Sequence, residues 1–267
     1  MTGQTPPVSL IPAATILLVR DGREGIEVFM VKRHHQIDFA SGALVFPGGK
    51  LAKGDGDPRL AAMHGGAGGF SAQMLPFAAA AIREAFEESG ILLARHRDGR
   101  MLTAGELDAL QTFRPMLDKG EMGLADFLER HALRLALEEL AHFAHWITPV
   151  FMPKRFDTQF FIAAAPPGQL GRHDGSEAVD SVWITPEAAI SDPSKWTVIF
   201  PTRMNLRALG RASSVATAMA HARAHTPYPV LPFIAEDGAG RKVLRLDPEA
   251  GYDAPDEPLE ALAGVAR

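Results

Sequence analysis

The stretch REAFEESGI, residues 83–91, places Arg83, Glu84, Glu87 and Glu88 close together ahead of Gly90. Read as the end of a helix, the spacing i, i+3, i+4 puts the three glutamates on one face, where they repel one another and the partially negative carbonyl end of the helix. Lysine or arginine is the ordinary choice at such an end, so these carboxylates call for compensation. Arg83 stands four residues before Glu87 and can hold it, which leaves Glu84 and Glu88 to coordinate a hard cation through oxygen. A backbone carbonyl from a glycine-bearing loop would complete such a ligand set.

Upstream, GALVFPGGK offers that loop: Pro47 stops a short strand, and Gly48 and Gly49 let the backbone approach a ligand. Before it, AATILLV (13–19) and IEVFMVKR (26–33) flank RDGREG and predict two strands joined by a turn. Residues 52–73 are glycine-rich and predict an irregular excursion. LPFAAAAIREAFEES predicts the acidic helix, with Pro76 in its first turn, an alanine run and Gly90 as the stop.

Residues 102–145 read as mainly helical, opening on a Thr103/Glu106 capping box and continuing through LADFLERHALRLALEELAHFAHW. Strands return at WITPVFM, TQFFIAAAP and AVDSVWIT, followed by a short helix at PEAAI, one long helix over 202–224 and a hairpin around EDGAG. The order predicts an α+β fold, a mixed sheet with helices on both sides. The expected organisation is an N-terminal tail (1–11), one domain (12–250) interrupted by insertions at 56–75 and 102–140, the second a helical cap, and a C-terminal tail (251–267).

The two glycine- and glutamate-bearing segments together resemble the Nudix hydrolase signature. That signature is a glycine, five residues, a glutamate, seven residues, then Arg-Glu-apolar-x-Glu-Glu-x-Gly-apolar. REAFEESGI matches the second half, with Ala85 at the apolar position. FPGGKLAKGD matches the first, with Gly49 in the glycine's place and Asp55 where the family has glutamate. Between Asp55 and Arg83 lie 27 residues instead of seven. Loop-closure entropy grows only logarithmically with length, so this is tolerable if the diglycine still packs beside the helix. A box split in this way, with a helical insertion and an Arg-Phe-Asp-Thr segment, is similar to the branch containing the peroxisomal coenzyme A diphosphatases. Here that segment is RFDTQFF, residues 155–161, preceded by WITPVFMPK.

The resemblance implies a Nudix-type α/β/α sandwich with a mixed β-sheet and a helical insertion. It implies an enzyme in which water attacks phosphorus while Mg²⁺ or Mn²⁺ holds phosphate oxygens and lowers the pKa of bound water. It assigns the Gly48 carbonyl, Glu84, Glu87 and Glu88 as metal ligands, Glu84 also to the water's proton, and Arg83 as their orienting partner. Asp55 is either a shorter outer-shell substitute or a loop aspartate. Glu177 in HDGSEAVDSVW is the candidate for a further catalytic carboxylate, with Asp174 and Asp180 as competitors, the alternative being a loop glutamate in water. Arg33, Phe46 and Arg155 are the candidate substrate contacts, the arginine fork suiting phosphate.

The implied substrate is a nucleoside diphosphate-linked small molecule. Coenzyme A or acyl-coenzyme A comes first, with ADP-ribose, a nucleotide sugar or a dinucleotide as alternatives; KRHHQIDFASGALVFPGG matches the coenzyme A signature only loosely. A Nudix-fold sensor that binds a nucleotide without hydrolysing it is the rival class. Retention of all three helix glutamates and the lack of a basic helix-turn-helix favour the enzyme.

Composition agrees with that picture. With 267 residues, 46% hydrophobic, and a net charge of −5, the chain can bury a substantial core and carries no long basic run for nucleic acid. It has no cysteine, which excludes disulfides, thiolate metal sites and a cysteine nucleophile. No signal-like start and no apolar run long enough for a membrane span are present, so the expected location is the cytoplasm, with homodimerisation left open. His142 and His145 lack the i, i+4 spacing of a zinc-protease helix, and GGAGGF matches no phosphate loop. These are expected to be packing or surface residues and a flexible loop.

Overall fold

The computed structural model describes residues 9–33, 42–65, 69–169, 171, 178–253 and 256–259. In chain order its strands and helices are β1 (Leu10–Gly22), β2 (Gly25–Arg33), β3 (Leu44–Val45), β4 (Gly48–Lys50), α1 (Leu75–Ser89), β5 (Ala94–His96), α2 (Ala104–Leu110), α3 (Arg114–Asp118), α4 (Leu124–Arg130), β6 (Leu133–Leu135), β7 (Leu140–Ile147), β8 (Arg155–Ala164), β9 (Ala178–Ile184), α5 (Pro186–Ser191), α6 (Phe200–Leu209), α7 (Val215–Ala224), β10 (Pro229–Val230), β11 (Phe233–Glu236), β12 (Lys242–Arg245) and β13 (Glu257–Pro258). The main sheet runs β10-β7-β8-β1-β2-β3, with β4 also on β1 and β9 also on β2. It is mixed: β1 and β8 are parallel from Leu10↔Arg155 to Val19↔Ala164, while β7 and β8 are antiparallel.

β1 is buried on both faces, as its unbroken apolar run requires. Ala14, Ile16 and Leu18 enter one core with the alanines of α1, and Leu17 and Val19 enter a second core with Leu206, Leu209, Ala218 and Met219 of α6 and α7. The sheet is therefore sandwiched, with α1 on one face and α6 and α7 on the other, as the family resemblance implies. The alanine run is what lets α1 lie close: Ala78 to Ala81 and Ala85 are fully buried, so the helix backbone rests near β1 and β4. Gly90 ends α1 in the left-handed conformation, at φ 71°, where a side chain would be strained.

Four expectations are corrected. Helices occupy only part of 102–145: α4 stops at Arg130, and the apolar residues after it alternate instead, burying Leu133 and Leu135 of β6 against β5 and leading into β7. His142 and His145 accordingly lie on a strand. The long helix over 202–224 is two helices, because the chain turns after Gly210 and restarts at Ser214, whose hydroxyl caps α7 by accepting from the Thr217 amide. Neither tail begins where expected. β1 starts at Leu10, and beyond residue 250 Tyr252 packs on Trp146 while Glu257 and Pro258 pair with β12. The start of the excursion is not irregular: Lys53–Gly56 and Pro58–Ala62 form two short 3₁₀ turns that bury Asp55 and Leu60 and pin it to the core at both sites.

Candidate active site

α1 and β4 bring the two halves of the split signature together. β4 pairs with β1 through Ala14↔Gly49 and Thr15↔Gly48. The Ile16 amide bonds the Pro47 carbonyl and the Leu51 amide bonds the Pro12 carbonyl. In an antiparallel ladder the residues between such pairs turn their polar groups outward, so the carbonyls of Gly48 and Lys50 face the open edge of β4. Arg83 reaches that edge, donating from Nη2 to the Lys50 carbonyl at 3.1 Å. A Cβ on Gly49 would lie 2.5 Å from Glu84 Oε1, and one on Gly48 would lie 2.6 Å from the Ala14 carbonyl. Glycine is needed at both positions, the first to admit a carboxylate and the second to admit backbone.

Arg83 is the hub. Its Nε and Nη2 donate to the two oxygens of Asp55 at 2.9 and 3.0 Å, and its Nη1 lies 2.6 Å from Glu87 Oε2 and 2.9 Å from Glu84 Oε1. Asp55 is 1% exposed and also accepts from the Ala52 amide at 2.7 Å. Asp55 is not a solvated loop residue: it is the bidentate partner of Arg83. The 27 intervening residues leave this pair intact because the 3₁₀ turn at 53–56 carries Asp55 back under α1.

One guanidinium thus serves three buried carboxylates. Burial works against the charge on Arg83, but Asp55, Glu84 and Glu87 together hold its pKa above the ordinary arginine range. Glu87 remains under-compensated: burial pushes its carboxyl up to about 8, with Arg83 opposing and Glu84 adding to the rise. Its Oε1 is buried with no hydrogen-bond partner among the described residues. Glu88, four residues after Glu84, is partly buried on the same helix.

The helix end receives its missing cation from the insertion. Arg114, at the start of α3, donates from Nε and Nη2 to the Glu87 carbonyl at 3.0 and 2.8 Å, and Gln111 donates to the Gly90 carbonyl at 3.0 Å. This is the positive charge that the acidic C-terminus lacks in its own sequence. Nothing local to residues 102–118 marks Arg114 for that task, since its partner is a backbone atom 27 positions away.

The remaining candidates are placed as follows. Arg155 lies buried at the start of β8, opposite Leu10, and donates to the Thr148 carbonyl at 3.0 Å. It stands four residues along the β1 register from Ala14, the partner of Gly49. Phe46 is buried in the core on the α6 and α7 side of the sheet, away from α1, so packing accounts for its side chain and it is not presented to a ligand at Glu84. Arg33 ends β2, and its side chain lies outside the described residues, as do Glu177 and its competitor Asp174. Asp180 pairs with Lys32 in the β2–β9 ladder.

Comparison with known proteins gives likenesses of three kinds. The model of the NUDT19 Nudix domain matches residues 71–202, a stretch that holds α1 and RFDTQFF and leaves the diglycine half upstream. A NUDIX hydrolase of known structure from Alicyclobacillus acidocaldarius is 26% identical, superposes with a TM-score of 0.69, and covers 80% of this chain and 96% of its own. A curated relative, acyl-coenzyme A diphosphatase NUDT19 of Xenopus laevis, is 25% identical over 215 residues, which is 66% of this chain. The chain spans 57% of that relative's length.

With Gly49 seated against Glu84 and Asp55 locked on Arg83, the fold and the likenesses point to one class: the chain is similar to the Nudix hydrolases in fold and in the assembled signature. Within that class it resembles the coenzyme A diphosphatase branch. No helix among the described residues is long and apolar enough to cross a membrane.

Proposed function

We propose that the enzyme cleaves the diphosphate of coenzyme A or an acyl-coenzyme A, giving 3′,5′-ADP and (acyl-)phosphopantetheine, with Mg²⁺ or Mn²⁺ as cofactor. The observation that carries the reading is the joining of a split Nudix box through Gly49 and Glu84 on one side and Asp55 and Arg83 on the other, in a chain that also holds RFDTQFF. The name of the Xenopus relative supports the choice of substrate.

The donors present fit a hard divalent cation. They are all oxygens, the Glu87 Oε1 atom is buried without a partner among the described residues, and the Gly48 carbonyl turns to the same edge as the Arg83 contact. Among the described residues no three His, Cys, Asp or Glu side chains are gathered closely enough to hold an ion as they stand, and Arg83 Nη1 bridges Glu84 and Glu87. Glu84, Glu87, Glu88 and the Gly48 carbonyl would hold the cation. When bound it supplies charge neutralisation for phosphate oxygens and a lowered pKa for water. Asp55 keeps Arg83 in place, and Arg83 orients Glu84 and Glu87 and limits their mutual repulsion. Arg114 fixes the helix end from which Glu87 and Glu88 project. Glu177 is the proposed further carboxylate, and Arg33 and Arg155 the proposed phosphate contacts.

The test is turnover of a panel with Mg²⁺ and with Mn²⁺: coenzyme A, acetyl-coenzyme A, ADP-ribose, a nucleotide sugar and a dinucleotide, with products identified by mass spectrometry in ¹⁸O-water. Coenzyme A esters are expected to be cleaved best. Inactivity on them alongside turnover of ADP-ribose would overturn the assignment, and a folded protein that turns over none of the panel would overturn diphosphatase activity altogether.

A further inference from the structure

RFDTQFF has a face that the diphosphatase reading leaves unused. Side chains alternate along β8, and Phe161 and Ala163 enter the α1-side core while Phe160 and Ile162 enter the other, so Asp157 and Gln159 point to the α1 side. The ladder then draws a single row across that face: Gly49 opposite Ala14, Ala14 opposite Gln159, Gln159 opposite His145. At about 4.8 Å per strand, Gln159 lies roughly 10 Å and His145 roughly 14 Å from the diglycine.

His142 and His145 are three residues apart and would face opposite sides of a regular strand. The register shift between His142 and Ala144 turns both toward α1. They join one chain of hydrogen bonds. His142 Nε2 meets Gln159 Oε1 at 2.8 Å, Gln159 Nε2 donates to Asp157 Oδ1 at 3.3 Å, and His145 Nε2 lies 2.6 Å from the same oxygen. Both of these contacts to Asp157 end on Oδ1, and no described residue donates to Oδ2. Gln159 is buried, whereas Asp157 and His145 keep 31% and 18% of their side chains exposed. One end of the strip is walled by Phe70, from the insertion within the box, which packs edge-on against Phe161 at 5.6 Å.

A carboxylate braced on one oxygen and open on the other is an acceptor awaiting a donor, and its charge disfavours phosphate. We propose that Asp157, braced by His145, Gln159 and His142, is a recognition subsite for the uncharged, hydrogen-bond-donating half of the substrate: a hydroxyl or amide N–H carried two to three strands away from the diphosphate. The diphosphate itself is kept at the diglycine. This rests on the diphosphatase reading and deepens it.

The experiment compares wild type, Asp157→Asn and His145→Gln, each checked for folding by thermal melt, using the best substrate of the panel and inorganic pyrophosphate as a competitor that lacks the donor half. Loss of a hydrogen bond to a charged group is expected to raise KM about ten- to hundredfold, with kcat changed far less and pyrophosphate inhibition unchanged. Folded variants with unaltered KM, or with pyrophosphate inhibition weakened as much as KM is raised, would overturn the subsite. If wild type turns over nothing, calorimetric titration with coenzyme A and ADP-ribose separates the two claims. Binding weakened by both substitutions upholds the subsite while the catalytic reading falls; no binding, or binding unaffected by them, overturns both.

Discussion

Glu87 sets a stability profile that can be measured without any substrate. In the metal-free protein, burial raises its carboxyl from 4.5 to about 8 despite the Arg83 contact at 2.6 Å. The folded state therefore holds the proton more tightly than the unfolded state does. The stabilisation is full below about pH 4.5, declines as pH rises toward 8, and is gone above that, because only the unfolded chain ionises freely inside the window. At about 1.4 kcal/mol per tenfold change in proton concentration, the loss across the window is on the order of 5 kcal/mol. The assay is urea unfolding in chelator from pH 5 to 9 for wild type and Glu87→Gln. Titrations common to both proteins cancel in the difference, which is expected to fall by several kcal/mol with rising pH. A flat difference, or one that rises with pH as a carboxylate stabilised by Arg83 would give, refutes the claim that burial outweighs that ion pair.

Four other substitutions follow from the same geometry. Asp55→Ala leaves Arg83 without its bidentate partner in a buried site and is expected to cost about 3–5 kcal/mol in urea unfolding; a loss under about 1 kcal/mol would contradict its anchoring role. Gly49→Ala presses on the end of the Glu84 side chain, whereas Gly48→Ala presses on the Ala14 backbone. Turnover is thus expected to collapse in the first with a modest change in melting temperature, and stability to collapse in the second; the reverse order would be contrary. Arg114→Ala removes two donors from the Glu87 carbonyl and is expected to cost about 1–3 kcal/mol, and wild-type unfolding free energy would show that the insertion does not hold α1.

The fold was legible where one periodicity dominated. β1, β2, the Ala-rich α1 with its Gly90 stop and the EDGAG hairpin all carry unambiguous local signals. Legibility failed at 131–145, where leucines and alanines spaced for a helix satisfy strand alternation equally well and the β5 and β8 partners decide. It failed again at 210–214, where one turn divides a helix without a proline to mark it. The glutamates and the diglycine were readable because their spacing is local. The tie of Asp55 to Arg83, the role of Arg114 and the Asp157 strip were not: each acts through a partner remote in sequence, on a backbone carbonyl, across a strand ladder or beside a bulge. Phe46, next to the site in sequence, is buried in the core on the α6 and α7 side of the sheet, a placement that only the packing of the sheet reveals.

The central claim is that the crowded carboxylates of α1 and the diglycine edge form one cation site. Diffraction at the manganese absorption edge, from crystals holding Mn²⁺ and a non-hydrolysable diphosphate analogue, addresses it directly. The expected result is anomalous density touching Glu84, Glu87 and the Gly48 carbonyl, lost in Glu87→Gln crystals. Manganese bound elsewhere, or no manganese at this edge with the analogue in place, would contradict it.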